Sequence, residues 1–221
     1  MPKGNLSIEL LGSPADFEKF ILSSLEKQFD KAINKSLSLI KTGIAPIIYE
    51  AISGCDEIRE LQNGQLRGEL GLTSSQAQSA ADEIAKAVSQ SIEFNNTKAS
   101  MGGKGGLSIY VQPSNFENVL SIGQSDITYY SRRYKGQVTL EWLDWLLKRG
   151  DTIIVGSFHF DPIAGKGRSG LGRMKETGVW RINSSYSGTE NDNFITRALG
   201  TKEIQKNMTS VISKVIAKNW D

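Results

Sequence analysis

The sequence predicts an α+β fold: a mostly antiparallel sheet flanked by helices, with a long N-terminal helix and a C-terminal helix packed on the sheet. Three observations predict it. Apolar residues recur at steps of three and four at both ends of the chain. Between these ends, short alternating segments read as strands, the strongest over residues 151–160 (DTIIVGSFHF). Glycine-rich stretches punctuate this middle part and join its strands as turns.

The first helix opens at Ser13, an N-cap, with Pro14 at the first helical position. Phe17, Phe20, Ile21, Leu25, Phe29, Ile33, Leu37 and Ile40 then mark one face, and the pattern runs on to about Ile52. Pro46 predicts a kink or break. Asn63-Gly64 signals a turn, and Gly68 and Gly71 interrupt any long helix there. Thr73 starts a second helix over 74–91, with Ala77, Ala81, Ile84, Ala87 or Val88, and Ile92 on its apolar face.

Residues 101–106 (MGGKGG) predict a loop, followed by a strand in which Leu107, Ile109 and Val111 alternate with polar neighbours. Residues 126–130 read as another strand. Thr139 is expected to cap a short helix over 140–149, stopped by Gly150. The strand 151–160 leads through the loop DPIAGKGRSG to segments at 171–174 and 179–182, a hairpin or meander with a basic tip. A short helix over 193–199 follows. Gly200 breaks it, and Thr201 caps a last helix striped by Ile204, Met208, Val211, Ile212, Val215 and Ile216. The organisation is an N-terminal helical region over 1–60 and an α+β domain over 61–221, or a single domain overall.

At 221 residues the chain is long enough to bury a core without disulfides or metal. A 38% hydrophobic and 23% charged composition is that of a soluble globular protein. Cys55 is the single cysteine, which excludes an internal disulfide and points to a reducing compartment. The first residues lack the apolar stretch of a secretion signal, and no run has the length of a membrane span. Synthesis in a cytoplasm and no membrane partner are therefore expected.

Net charge is +2, too even to argue for nucleic acid. From Arg132 to Arg181, however, ten basic residues stand against five acidic ones, so the central third carries about +5.

The side chains that carry chemistry are sparse. His159 is the single histidine, and strand alternation places Ser157 and Asp161 on its face, a weak constellation for general-base work. A zinc site needs three or four ligands, and one His with one Cys does not supply them. The run from Gly165 to Gly170 lacks the adjacent Lys and Ser/Thr of a phosphate-binding loop, because Lys166 precedes Gly167. No GxSxG elbow is present. The expectation is a protein with no catalytic centre, no metal and no cofactor. Tyr129, Tyr130 and Tyr134 beside Arg132 and Arg133 could stack on single-stranded nucleic acid.

Residues 139–199 carry a resemblance. The run Leu140-Glu141-Trp142-Leu143-Asp144-Trp145-Leu146-Leu147, then Gly150-Asp151-Thr152-Ile153-Ile154-Val155, then Gly167-Arg168-Ser169-Gly170, resembles the neck and tail-completion proteins of tailed bacteriophages. So do Val179-Trp180-Arg181-Ile182, Tyr186-Ser187-Gly188-Thr189 and Asn193-Phe194-Ile195-Thr196-Arg197-Ala198, and the earlier run from Leu66 to Leu72. The likeness covers 60–220 loosely and 139–199 best. The chain departs from smaller members of that group in its long N-terminal helical region and its MGGKGG loop.

The resemblance implies a structural virion protein of the neck, joining head to tail or terminating the tail tube. It implies a homo-oligomeric ring, usually a hexamer, whose partners are the connector and the tail-tube or sheath proteins. DNA would pass through the lumen without specific binding, and no catalysis is implied. On this reading Lys166, Gly167, Arg168, Ser169 and Arg173 form a candidate assembly-interface loop, mobile until it meets an acidic patch on a neighbour. The alternative is a non-catalytic nucleic-acid-binding module using the basic central region.

Overall fold

A computed structural model describes residues 13–97, 106–111, 115–131 and 135–220. Within them the chain is α+β, with a long N-terminal helix, a C-terminal helix and short antiparallel strand pairs. The predicted loop at 101–105 lies outside the described residues, as do Arg132, Arg133 and Tyr134.

Helix α1 spans Pro14–Ser53. Its start is a capping box: the Asp16 N–H donates to Ser13 Oγ at 3.3 Å, and the Ser13 N–H donates to Asp16 Oδ2 at 3.1 Å. Pro46 does not end it. A proline inside a helix costs about 3 kcal/mol, yet Ile44, Ile48 and Ile52 around it are fully buried, and each such burial contributes about 1.5–3 kcal/mol. Packing therefore outweighs the lost hydrogen bond.

Two short helices follow, α2 (Asp56–Asn63) and α3 (Gln65–Leu70), divided at Gly64. The Glu60 carboxylate accepts from the Gln65 N–H at 3.0 Å and so caps α3. Gly71, at φ 65°, ends α3 in the left-handed conformation that glycine adopts without strain. Helix α4 (Ser74–Gln90) starts on a Thr73–Gln76 capping box and lays Ala77, Ala81, Ile84 and Val88 into the core. It packs along α1, and the Tyr49 hydroxyl donates to Asp82 Oδ1 at 2.8 Å across that contact.

The strands do not form one sheet. They make three separate antiparallel ribbons: β1 (Glu93–Thr97) with β2 (Gly106–Tyr110), β3 (Ile127–Ser131) with β4 (Gly136–Leu140), and β5 (Val155–Asp161) with β6 (Arg173–Trp180). Between them lie α5 (Glu117–Leu120) and α6 (Trp142–Lys148). Thr139, expected as a helix cap, is instead a strand residue whose hydroxyl meets that of Thr128 across the ribbon at 3.2 Å. Glu141 occupies the cap position of α6. A capping hydroxyl and a strand hydroxyl look alike in sequence, and here the cross-strand partner decides.

Helix α7 (Phe194–Leu199) begins at Asn193, whose side chain accepts from the Ile195 and Thr196 N–H groups. Helix α8 (Lys202–Lys218) begins at Thr201, as expected. Its packing partner corrects the expectation. The stripe lies on α1, not on a sheet, because ribbons of two strands offer no broad apolar face. The helices run antiparallel: Val211 lies over Gly43, Asn219 Nδ2 donates to Ser36 Oγ at 3.1 Å, and Trp220 meets Phe29 edge-to-face at 5.8 Å. Every apolar residue of the α8 stripe is only half-buried.

One continuous core joins α1, α4, α6, α7 and the base of the β5–β6 ribbon, with Trp142 and Phe194 among its largest members. It draws on residues from both sides of position 60.

Candidate functional site: the β5–β6 hairpin and the groove beside it

The hairpin rises from the core at Trp180, which is buried. From there β6 is exposed over Arg173–Val179 on both faces. Phe160 anchors the far end of β5. Its ring sits so close to Gly68 of α3 that a Cβ there would lie 2.8 Å from it. Close approach, not a turn, explains this glycine inside a helix.

A bulge between Gly156 and Phe158 breaks the alternation of β5, with Ser157 at φ 70°. Opposite it Thr177 stands at φ 108°, a strained setting for a β-branched residue. His159 secures this turn of chain: its Nδ1 donates to the Thr177 carbonyl at 2.8 Å. The constellation expected around His159 is thus not assembled. Ser157 leaves the ladder at the bulge, and Asp161 is paired with Lys175.

The tip is an internally hydrogen-bonded turn. The Gly165 N–H donates to Gly170 O at 2.8 Å, and the Gly172 N–H to Lys166 O at 3.1 Å. Gly165, Gly167 and Gly170 all have positive φ, which lets a short run fold back on itself. Ser169 Oγ accepts from the Leu171 N–H at 3.2 Å. Arg168 reaches back to the body, its Nε donating to Gly71 O at 2.6 Å. That carbonyl lies at the C-terminus of α3, where a cation is favoured.

Of the five candidate interface residues, Gly167, Ser169 and Arg168 are therefore engaged in holding the tip. Lys166 and Arg173 are exposed, and their side chains make no hydrogen bond or ion pair with the described residues. Among the described residues, most other cations of the central third are already paired. Arg149 bonds Asp144 at 2.6 Å and stacks on Trp145, Lys148 meets Asp144, Lys175 meets Asp161, and Arg181 meets Asp151.

A second feature was not anticipated. A groove of about 900 Å³ runs between the end of α1, α2, the turn at Ser185-Tyr186 and the start of α8. Arg197 crosses its floor, bonding Glu57 at 2.6 Å and Asp192 at 2.9 Å. Burial pushes the Cys55 thiol up to about 12, so it is neutral and unreactive near pH 7. Burial, and then the charges of Glu60, Asp56, Glu57 and Glu69, raise the Tyr186 hydroxyl. Among the described residues no group of three His, Cys, Asp or Glu side chains could hold a metal ion. The groove walls come from residues 50–60 and 185–204, a juxtaposition no local pattern encodes.

Next to this groove, burial raises the Glu69 carboxyl above its ordinary range, against the hydrogen bond from Gln65 that lowers it. The folded chain then holds this proton more tightly than the unfolded chain. Ionising Glu69 therefore costs stability as pH rises through the ordinary Glu range toward the raised folded value. Glu69→Gln is expected to raise the melting temperature at pH 7–8 and to change nothing below pH 4. Thermal denaturation at both pH values checks this.

No protein-family model matches the chain, no curated protein matches it in sequence, and no solved structure matches it in fold. Also, among the described residues no helix is long and apolar enough to cross a membrane.

Proposed function

We propose that the chain is a non-catalytic structural subunit of a tailed-bacteriophage neck, acting in the virion at the join of head and tail. Copies form a ring, and the β5–β6 hairpin of each reaches a neighbouring subunit or the adjoining connector or tube. The resemblance over 139–199 raises this reading, and one observation carries it. A hairpin whose β6 strand is exposed on both faces, held at its base by Trp180, near its far end by Phe160 against Gly68 and at its tip by Arg168, presents the unpaired side chains of Lys166 and Arg173 at a fixed position. Such a rigid projection suits docking, because little conformational entropy is lost when it binds.

The basic central third favours nucleic-acid binding less once its ion pairs are counted, since a cation already held by a carboxylate neutralises no phosphate.

The test is Lys166→Ser with Arg173→Ser in the phage. Both side chains are solvated, so the melting temperature should stay within about 1 °C of the parent. Joined particles should fall at least tenfold, with free heads and tails accumulating. Normal yields of joined particles would refute the role assigned to the hairpin.

A further inference from the structure

The apolar stripe of α1 outruns its partners. From Ile33 to Ile52 it is buried, but α8 ends at Trp220 against Phe29, and the stripe continues past that point as Leu25, Ile21 and Phe17 at the same spacing of four. From Ser13 to Gln28 every described side chain is exposed or half-exposed. Phe17, Phe20, Ile21, Leu22 and Leu25 are 38%, 72%, 55%, 39% and 45% exposed. Four of them, Phe17, Phe20, Ile21 and Leu25, share about 140° of the helix and leave on the order of 400 Å² of apolar surface bare, within the range of the largest patch on a typical monomer, while Leu22 faces away from Phe20.

We propose that this overhang of α1 is a self-association surface, covered in solution by the same overhang of a second copy. Area is the first argument. A stable interface buries about 1,600 Å² in total, a little over half of it apolar, which is roughly 900 Å². Two overhangs together supply about that amount. Sixteen residues of helix, about 24 Å, also give the length for several interlocking turns.

Charge is the second argument. Glu18 borders Leu25 on one edge of the apolar patch, Lys27 borders Phe20 on the other, and Lys19 and Glu26 lie on the far side of the helix. A membrane-surface helix carries its cations along the edge of its apolar face and meets anionic lipid. This one carries a carboxylate on one edge and a single cation on the other, which gives an anionic bilayer little to hold, whereas a second copy can set its acidic edge against the basic edge of the first. The inference does not rest on the neck reading, because it uses a different surface from the hairpin.

The test is the sedimentation mass of the full chain at about 10–100 μM, compared with Phe20→Glu/Ile21→Glu and, as a control on the far side of the helix, Lys19→Glu. The substituted residues are exposed in the single chain, so both variants should keep the parent's far-UV circular dichroism, and the Phe20/Ile21 variant should lose only the concentration-dependent part of the parent's melting temperature that association supplies. The parent and the control should sediment at twice the 24.3 kDa chain mass or more. The Phe20/Ile21 variant should lose at least half of that mass, or shift the association constant at least tenfold. A monomeric parent would overturn the proposal, and so would an unchanged mass in that variant. Binding of a monomeric parent to phosphatidylglycerol vesicles would show that lipid covers the surface instead. A monomeric parent whose melting temperature falls in the Phe20/Ile21 variant would show that residues 1–12 of the same chain cover it.

Discussion

Trp142→Ala is expected to destabilise the protein by about 4 kcal/mol, the range for emptying a fully buried aromatic site. Trp142 is completely buried at the first position of α6. Its indole N–H donates to the Gln124 carbonyl at 2.8 Å, and the next residue ties the same turn, the Leu143 N–H donating to Ser125 O at 3.3 Å. Alanine removes the ring and leaves the Gln124 carbonyl without its donor, a further cost of about 1–3 kcal/mol if no water replaces it. A domain of this kind is stable by about 5–15 kcal/mol, so the variant should be marginal. Urea denaturation should show a lower midpoint with an unchanged slope. A loss under about 1.5 kcal/mol would mean that the site collapses easily and that α6 does not organise the core.

Gly43→Leu is expected to cost about 3 kcal/mol by overpacking. Glycine inside a helix is itself unfavourable by about 1 kcal/mol relative to alanine, so its presence needs a cause. Val211 Cγ1 lies 2.7 Å from where a Cβ on Gly43 would stand. A leucine there must push α8 away from α1, and α8 has little else to hold it. Val211→Ala in the same chain should restore part of the loss. A coupling of at least about 1 kcal/mol in the double-mutant cycle would place the two residues in contact. Strict additivity would mean that α8 does not lie on Gly43.

These two sites also show what the sequence reveals and what it hides. Helix starts were legible because they are local. Ser13, Thr73, Asn193 and Thr201 each bind an N–H two or three residues ahead. The apolar periods of α1, α4 and α8 were legible for the same reason. Which element each stripe meets is not local. The stripe of α8 reads as a face for a sheet, yet its partner is α1, some 170 residues earlier, and the clue is Gly43. Strands β1 and β4 escaped notice because EFNNT and GQVTL lack a clean apolar alternation. Their hydrogen bonds to β2 and β3 define them instead.

At the candidate site the basic tip was legible from its composition. The docking of Arg168 on Gly71 was not, because the two residues stand 97 positions apart. That contact changes which cations remain available, moving the weight from Arg168 to Arg173.

The central claim is that the chain is a structural part of the phage neck. Electron microscopy of purified particles labelled with a gold-conjugated antibody against this chain tests it most directly. The account predicts label concentrated at the junction of head and tail. Unlabelled particles, or label on the capsid surface or along the tail, would contradict it.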